Sequence, residues 1–212
     1  EERRVSKIGR KAFRVLVKIG KATQRQDYEA IEKHIAKALN SKKFNGFEKA
    51  RFLQNRLWLP HIKFDLAKKI EINNQMLLYR DEFPVELELM ILAELAASHY
   101  RLGRYQTAFE INSEWLDLMD PRALGVYNLL FISQLYFALS DIEQSKHFVD
   151  AALSQAKNEK AIFKKESWYD FSLLLSLKLD RKDLVVNSLA ASLEQWSDQA
   201  NKICAHFAWL DN

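Results

Sequence analysis

The apolar residues of this 212-residue chain recur in paired helical stripes separated by short polar turns, and that pattern limits the fold more than any other feature. The clearest unit runs from Pro84 to Asp120. Leu92, Leu95, Ala96, His99 and Tyr100 fall at helical spacing in a first segment predicted from Val85 to Leu102. Pro84 stands where a proline favours a helix start. Gly103-Arg104 breaks the stripe, and glycine supplies the backbone freedom a helix end requires. Tyr105, Ala108, Phe109, Asn112, Trp115 and Leu116 form a second stripe, closed by Asp120-Pro121.

The design repeats along the chain. From Pro121, Leu129, Ile132, Ser133, Tyr136 and Phe137 make a first stripe, Leu139-Ser140-Asp141 a turn, and Ile142, Ser145, Val149, Ala152 and Leu153 a second stripe. A third unit turns at Asp180-Arg181-Lys182, between Tyr169, Leu173 and Leu177 on one side and Val185, Val186, Leu189 and Leu193 on the other. Two weaker units come first. One pairs a helix from about Arg3 to Thr23 with Asp27–Leu39; the other pairs Phe47–Leu59 with a helix from about Lys63 to Tyr79. Aligning Tyr28, Phe64, Tyr105, Ile142 and Lys182 gives intervals of 36, 41, 37 and 40 residues. Only five Gly and three Pro argue against an all-β fold with its many turns. Helix pairs of this length bury their apolar faces by stacking on neighbours. The expectation is an all-α chain: a right-handed solenoid of about five antiparallel helix pairs in a single domain over 1–212. Weaker repeats occupy 1–80, clearer ones 84–196, and a capping helix 198–211. An irregular helical bundle is the alternative.

Over Leu92–Pro121 the residues resemble the tetratricopeptide repeat family, through Ala96, Tyr100, Leu102-Gly103-Arg104-Tyr105, Ala108 and Pro121. Ile132–Leu153 is similar next, through Ser133, Tyr136, Ser140, Ile142, Ala152 and Leu153. The units are longer than the family's usual repeat and resemble those of bacterial signalling proteins and the sensor halves of transcription regulators. The resemblance implies a non-catalytic scaffold that holds a peptide or protein in a groove lined by the first helix of each pair. On this chain that groove would present Lys49, Phe52 and Arg56, then Met90, Ala97, Tyr100 and Arg101. Tyr127, Gln134, Phe137 and Leu174 would continue it. Arg and Lys grip carboxylates and carbonyls, and Tyr and Phe add contact area. Lys49, Asn55 and Arg101 supply part of the family's carboxylate-binding clamp.

Charge is uneven. Residues 1–69 hold 19 Lys and Arg against 7 Asp and Glu, and residues 70–212 hold 13 against 21. The basic third suggests an acidic partner, whether protein, nucleic acid or membrane surface. Arg3, Arg4, Lys7, Arg10, Lys11 and Arg14, continued by Lys18 and Lys21, surround a stripe of Val5, Ile8, Ala12, Val15, Leu16 and Ile19. The first six are candidate phosphate-binding residues. The same pattern also describes a first repeat helix with its apolar side inward and its basic side outward.

Little chemistry can be assembled. Five His are scattered without a zinc-binding helical pair, no phosphate-cradling glycine loop exists, and Cys204 and His206 fall on different helix faces. No cofactor, no metal and no enzymatic activity are expected. One Cys forbids an internal disulfide. The longest mostly apolar stretch, Val126–Leu139, is too short for a membrane span and carries Asn128, Ser133 and Gln134. With no secretory signal, a cytoplasmic location is expected. A start at Glu1 without Met reads as an excised domain or a processed chain. Besides a peptide-binding scaffold, two readings remain: the regulatory half of a transcription regulator, and direct nucleic-acid binding through the basic third.

Overall fold

A computed structural model describes residues 5–57 and 65–156. The described residues form eight α-helices and two short 3-10 turns, with no strand among them. The helices are α1 (Arg10–Gln24), α2 (Tyr28–Leu39), α3 (Gly46–Arg56), α4 (Leu66–Leu77), α5 (Val85–Arg101), α6 (Tyr105–Leu118), α7 (Val126–Ala138) and α8 (Ile142–Ala156). The unit turning at Asp180, the capping helix over 198–211, Leu174 and the Cys204–His206 pair lie outside the described residues. No described helix is long and apolar enough to cross a membrane.

One turn geometry closes three of the helix pairs. Gln26, Gly103 and Ser140 sit in the left-handed region, with φ of 56°, 72° and 67°. Each donates its backbone N–H to the carbonyl three residues back: Thr23, Tyr100 and Phe137 at 3.0, 2.9 and 3.0 Å. The next residue donates five back, from Asp27 to Ala22, Arg104 to His99 and Asp141 to Tyr136, at 3.0, 3.0 and 2.9 Å. This is the Schellman closure, which satisfies the last carbonyls of a helix while reversing the chain. Asp27, Asp65 and Asp141 then cap the helix that follows, accepting from the backbone N–H of Ala30, Lys68 and Gln144. The second helices begin at residues 28, 66, 105 and 142, spacings of 38, 39 and 37. The second unit starts at Leu66, two residues after the expected Phe64, so the repeat is more even than the sequence alignment made it.

The N-terminus departs from expectation. The first helix begins at Arg10, not Arg3, and residues 5–9 are not helical. Acceptors in other parts of the chain hold this segment. Ser6 donates its N–H to the Glu82 carbonyl at 2.9 Å, and Gly9 donates its N–H to Glu48 Oε1 at 2.8 Å. Asn45 Nδ2 donates to the Lys7 carbonyl at 2.9 Å. Glu48 also completes a capping box with Asn45 at the start of α3. Glu82 Oε2 accepts from the Gly46 N–H at 2.9 Å, an approach a Cβ at position 46 would block at 2.6 Å. Val5 and Ile8, expected on the helical stripe, are exposed, while Ala12 and Ile19 are fully buried.

The chain divides into two compact units, Glu1–Ala123 and Leu124–Asn212. In the first, each of α1 to α6 packs on the next in chain order. One apolar cluster joins Ile19, Ile31, Ile35 and Phe52; a second joins Leu53, Ile72, Met76, Phe83, Ile91 and Leu95. Ala96 on α5 and Ala108 on α6 are both fully buried, which lets these helices approach closely. Arg80, in the 3-10 turn Arg80–Glu82, bonds Glu88 of α5 and Glu114 of α6. Burial works against its charge, but the two carboxylates together outweigh burial and hold the guanidinium more basic than usual. In the second unit, Ser133 on α7 and Ser145 on α8 exchange hydroxyl-to-carbonyl bonds of 2.8 and 3.0 Å, and Tyr136 stacks on Phe148 at 5.5 Å.

Two outcomes follow for stability, both read by urea denaturation. Gly103→Ala loses about 1 kcal/mol, the cost of a Cβ in the left-handed region, whereas Gln26→Gly and Ser140→Gly each gain about 0.5 kcal/mol. Arg80→Met removes the cation beside the fully buried Glu88. It costs about 2–3 kcal/mol, at the low end for a broken buried pair because Arg80 is partly solvated, and adding Glu88→Leu restores part of the loss.

Candidate binding cleft

The described residues proposed for a groove are distributed over α3, α5 and α7. Lys49 lies with Nζ 5.7 Å from the Tyr79 ring centre. Arg56 turns to α2, where its guanidinium bonds Glu32 at 3.0–3.2 Å. Phe52 is fully buried and meets Phe44 edge-on at 5.1 Å, so it belongs to the core rather than to a binding face. Tyr100 packs on Tyr105 at 5.3 Å, and burial, helped by Tyr105, pushes its hydroxyl pKa up. Arg101 is exposed and Ala97 half-buried. His99 stands beside them; burial and then Arg104 lower its pKa, and its buried Nδ1 has no hydrogen-bond partner. Tyr127, Gln134 and Phe137 lie on α7 in the second unit, Tyr127 exposed and the other two half-buried.

Of the candidate phosphate-binding residues, Arg3 and Arg4 lie outside the described residues. Lys7 is exposed on the segment before α1, and Arg10, Lys11 and Arg14 are exposed on α1. They share the outer side of α1 with Lys18, Lys21, Phe13 and Val17, the last two 62% and 41% exposed.

The structure adds a site the sequence reading missed. A cleft of about 330 Å³ opens among the helices of the first unit. It is lined by Leu57, by Thr23 of α1, Gln54 and Asn55 of α3, Lys69 and Asn73 of α4, and Met90 and Glu94 of α5. Of the residues predicted for the groove and its clamp, Met90 and Asn55 line it. Nearly every polar group here is spoken for. Lys69, 8% exposed, pairs with Glu94 at 2.5 Å. The Thr23 hydroxyl donates to the Ile19 carbonyl and Asn55 Nδ2 to the Arg51 carbonyl, at 3.0 and 2.8 Å. Gln54 accepts from Arg51 and sets Nε2 3.6 Å from Met90 Sδ. Asn73 is the exception. It is 1% exposed, and neither its amide oxygen nor its amide nitrogen has a hydrogen-bond partner.

The repeat sets Asn73 and Lys69 beside their counterparts in the other pairs. Counted from the second-helix starts, Asn73 is equivalent to Ile35, Asn112 and Val149, and Lys69 to Ile31, Ala108 and Ser145. All of these positions are buried. The second pair therefore places Lys and Asn, one helical turn apart, where the first places two isoleucines. Placing the turn at Phe64 hides this, because it sets Lys69 and Asn73 against the exposed Lys33 and Lys37. Starting α4 at Leu66 was the signal that would have exposed them.

Among the described residues, no group of His, Cys, Asp and Glu is arranged to hold a metal ion. Comparison with known proteins finds no matching family model and no matching curated relative.

A buried amide with both hydrogen-bonding ends unmet costs folding free energy. Asn73→Leu, of similar volume and apolar, raises stability by about 1 kcal/mol, measured by urea denaturation of the full chain.

Proposed function

We propose that this chain is a non-catalytic scaffold that binds a peptide or protein segment. In this reading the helix pairs run antiparallel and stack as a right-handed solenoid of the tetratricopeptide type, and the first helices α1, α3 and α5 face the ligand. The recurrent Schellman turn carries the reading, because one closure used at Gln26, Gly103 and Ser140 gives successive pairs the same local geometry. The order of packing from α1 to α6 supports it as well. So does a cleft lined in part by α3 and α5, two consecutive first helices. Arg101 and Tyr100 at the end of α5 extend the contact surface beyond the cleft.

The exposed cations of α1 favour an acidic segment within the bound partner. Arg10, Arg14, Lys18 and Lys21 recur at helical spacing on its solvent side, and α1 contains no Asp or Glu to neutralise them.

A peptide array probed with the full chain tests both parts. Sequence-dependent retention is expected, weakened about tenfold by joint Tyr100→Ala and Arg101→Ala replacement with helicity unchanged. Joint Arg10→Ala and Arg14→Ala replacement should reduce retention of acidic peptides most, and added salt should do the same. An array on which no peptide is preferred defeats the proposal.

A further inference from the structure

We infer that the cleft beside Asn73 is a recognition pocket for a side-chain carboxamide, that of glutamine or asparagine in a bound peptide. This inference rests on the peptide-binding reading and names the chemistry of one position in the ligand. Asn73 holds a donor and an acceptor side by side on one planar group, both unmet and both closed to solvent in a residue 1% exposed, so a guest reaches them only as the cleft opens. A second primary carboxamide is the complement: its oxygen accepts from Asn73 Nδ2 while its N–H₂ donates to Asn73 Oδ1. A carboxylate would satisfy the nitrogen and set a negative oxygen against the Asn73 carbonyl. An ammonium would satisfy the oxygen and set a cation against the amide N–H₂.

The rest of the cleft agrees with a neutral guest. Its one cation and one anion, Lys69 and Glu94, already neutralise each other at 2.5 Å. No unpaired charge among its lining residues is left to attract an ionised side chain. Leu57 and Met90 supply apolar surface for the methylenes that carry the amide. A volume of about 330 Å³ admits a side chain. Gln54 and Met90 touch only through a weak nitrogen–thioether contact of 3.6 Å, which a guest displaces at little cost. The repeat supplies the independent argument. At the Lys69 position the other pairs carry Ile31, Ala108 and Ser145, none of them charged, and at the Asn73 position they carry Ile35 and Val149 as well as Asn112, so helix pairing requires neither Lys nor Asn there.

The test uses the full chain labelled with nitrogen-15, titrated with N-acetyl-glutamine methylamide and with its glutamate and norleucine counterparts. The glutamine compound is expected to shift the Asn73 side-chain amide signals saturably, and the other two to leave them in place. Asn73→Leu should weaken saturation, followed at cleft backbone amides, by about tenfold, with a Tm equal to or above that of the parent. Asn73→Ser, smaller and still polar, provides the binding comparison if the leucine variant does not fold.

Four results overturn the inference in whole or in part. Equal shifts from the norleucine compound mean a plain apolar hole. No saturation by the glutamine compound means no carboxamide site. A lower Tm in both Asn73 variants means the amide serves the fold. Acetamide saturating as tightly as the glutamine compound assigns the pocket to a free small amide and overturns the peptide source. The broader reading fails separately. If array binding persists in Asn73→Leu with unchanged residue preference, the pocket assignment falls and the scaffold stands. If the array is silent while the Asn73 signals respond to the glutamine compound, the scaffold falls and the pocket stands.

Discussion

Three helices of this chain, α1, α5 and α7, end where one residue accepts a left-handed backbone, and the pairing of each with the helix that follows depends on that constraint. Gln26, Gly103 and Ser140 each take up this conformation, and the two backbone bonds that accompany it return the chain within three residues. So short a connection leaves the second helix little choice of direction or contact. Buried residues then recur at fixed distances from the turn: Ala96 and Ala108 flank Gly103 as Ser133 and Ser145 flank Ser140. Glycine meets the backbone requirement without strain. Gln26 and Ser140 meet it under strain, offset by the hydrogen bonds and packing of the pair each one closes.

Polar residues inside the repeat have two different roles. Ser133 and Ser145 bond each other's carbonyls and hydroxyls, so their burial fastens α7 to α8. Glu48 and Arg80 likewise join elements distant in sequence and meet partners there. Asn73 joins nothing. A hydrogen-bonding group buried without a partner lowers stability, so no hydrogen bond within the fold accounts for its place. The same contrast separates Arg56, engaged by Glu32, from the exposed Arg10 and Arg14.

Helical class, the turn at Gly103-Arg104 and the turn at Ser140-Asp141 were readable because apolar period and turn residues are local properties. The buried small pairs were readable for the same reason. The start of α1 was not. Arg3 to Arg10 has the composition of an amphipathic helix, yet residues 5–9 bond to Glu82, Asn45 and Glu48, partners far away in sequence. Local propensity competes there with long-range hydrogen bonds and loses. The groove residues were legible as residue types, but the neighbours that engage each of them were not. Phe52 was drawn into the core by Phe44, and Arg56 toward Glu32.

By itself the sequence determined that the chain forms helix pairs, where two of their turns fall, and that its basic charge gathers at one end, since periodicity, turn chemistry and charge are written residue by residue. Only the tertiary structure decided that α4 begins at Leu66 and that Lys69 and Asn73 therefore occupy buried positions beside a cleft. Burial depends on which neighbours pack around a side chain, and a shift of two residues in register moves a helical side chain to the opposite face, from solvent to interior.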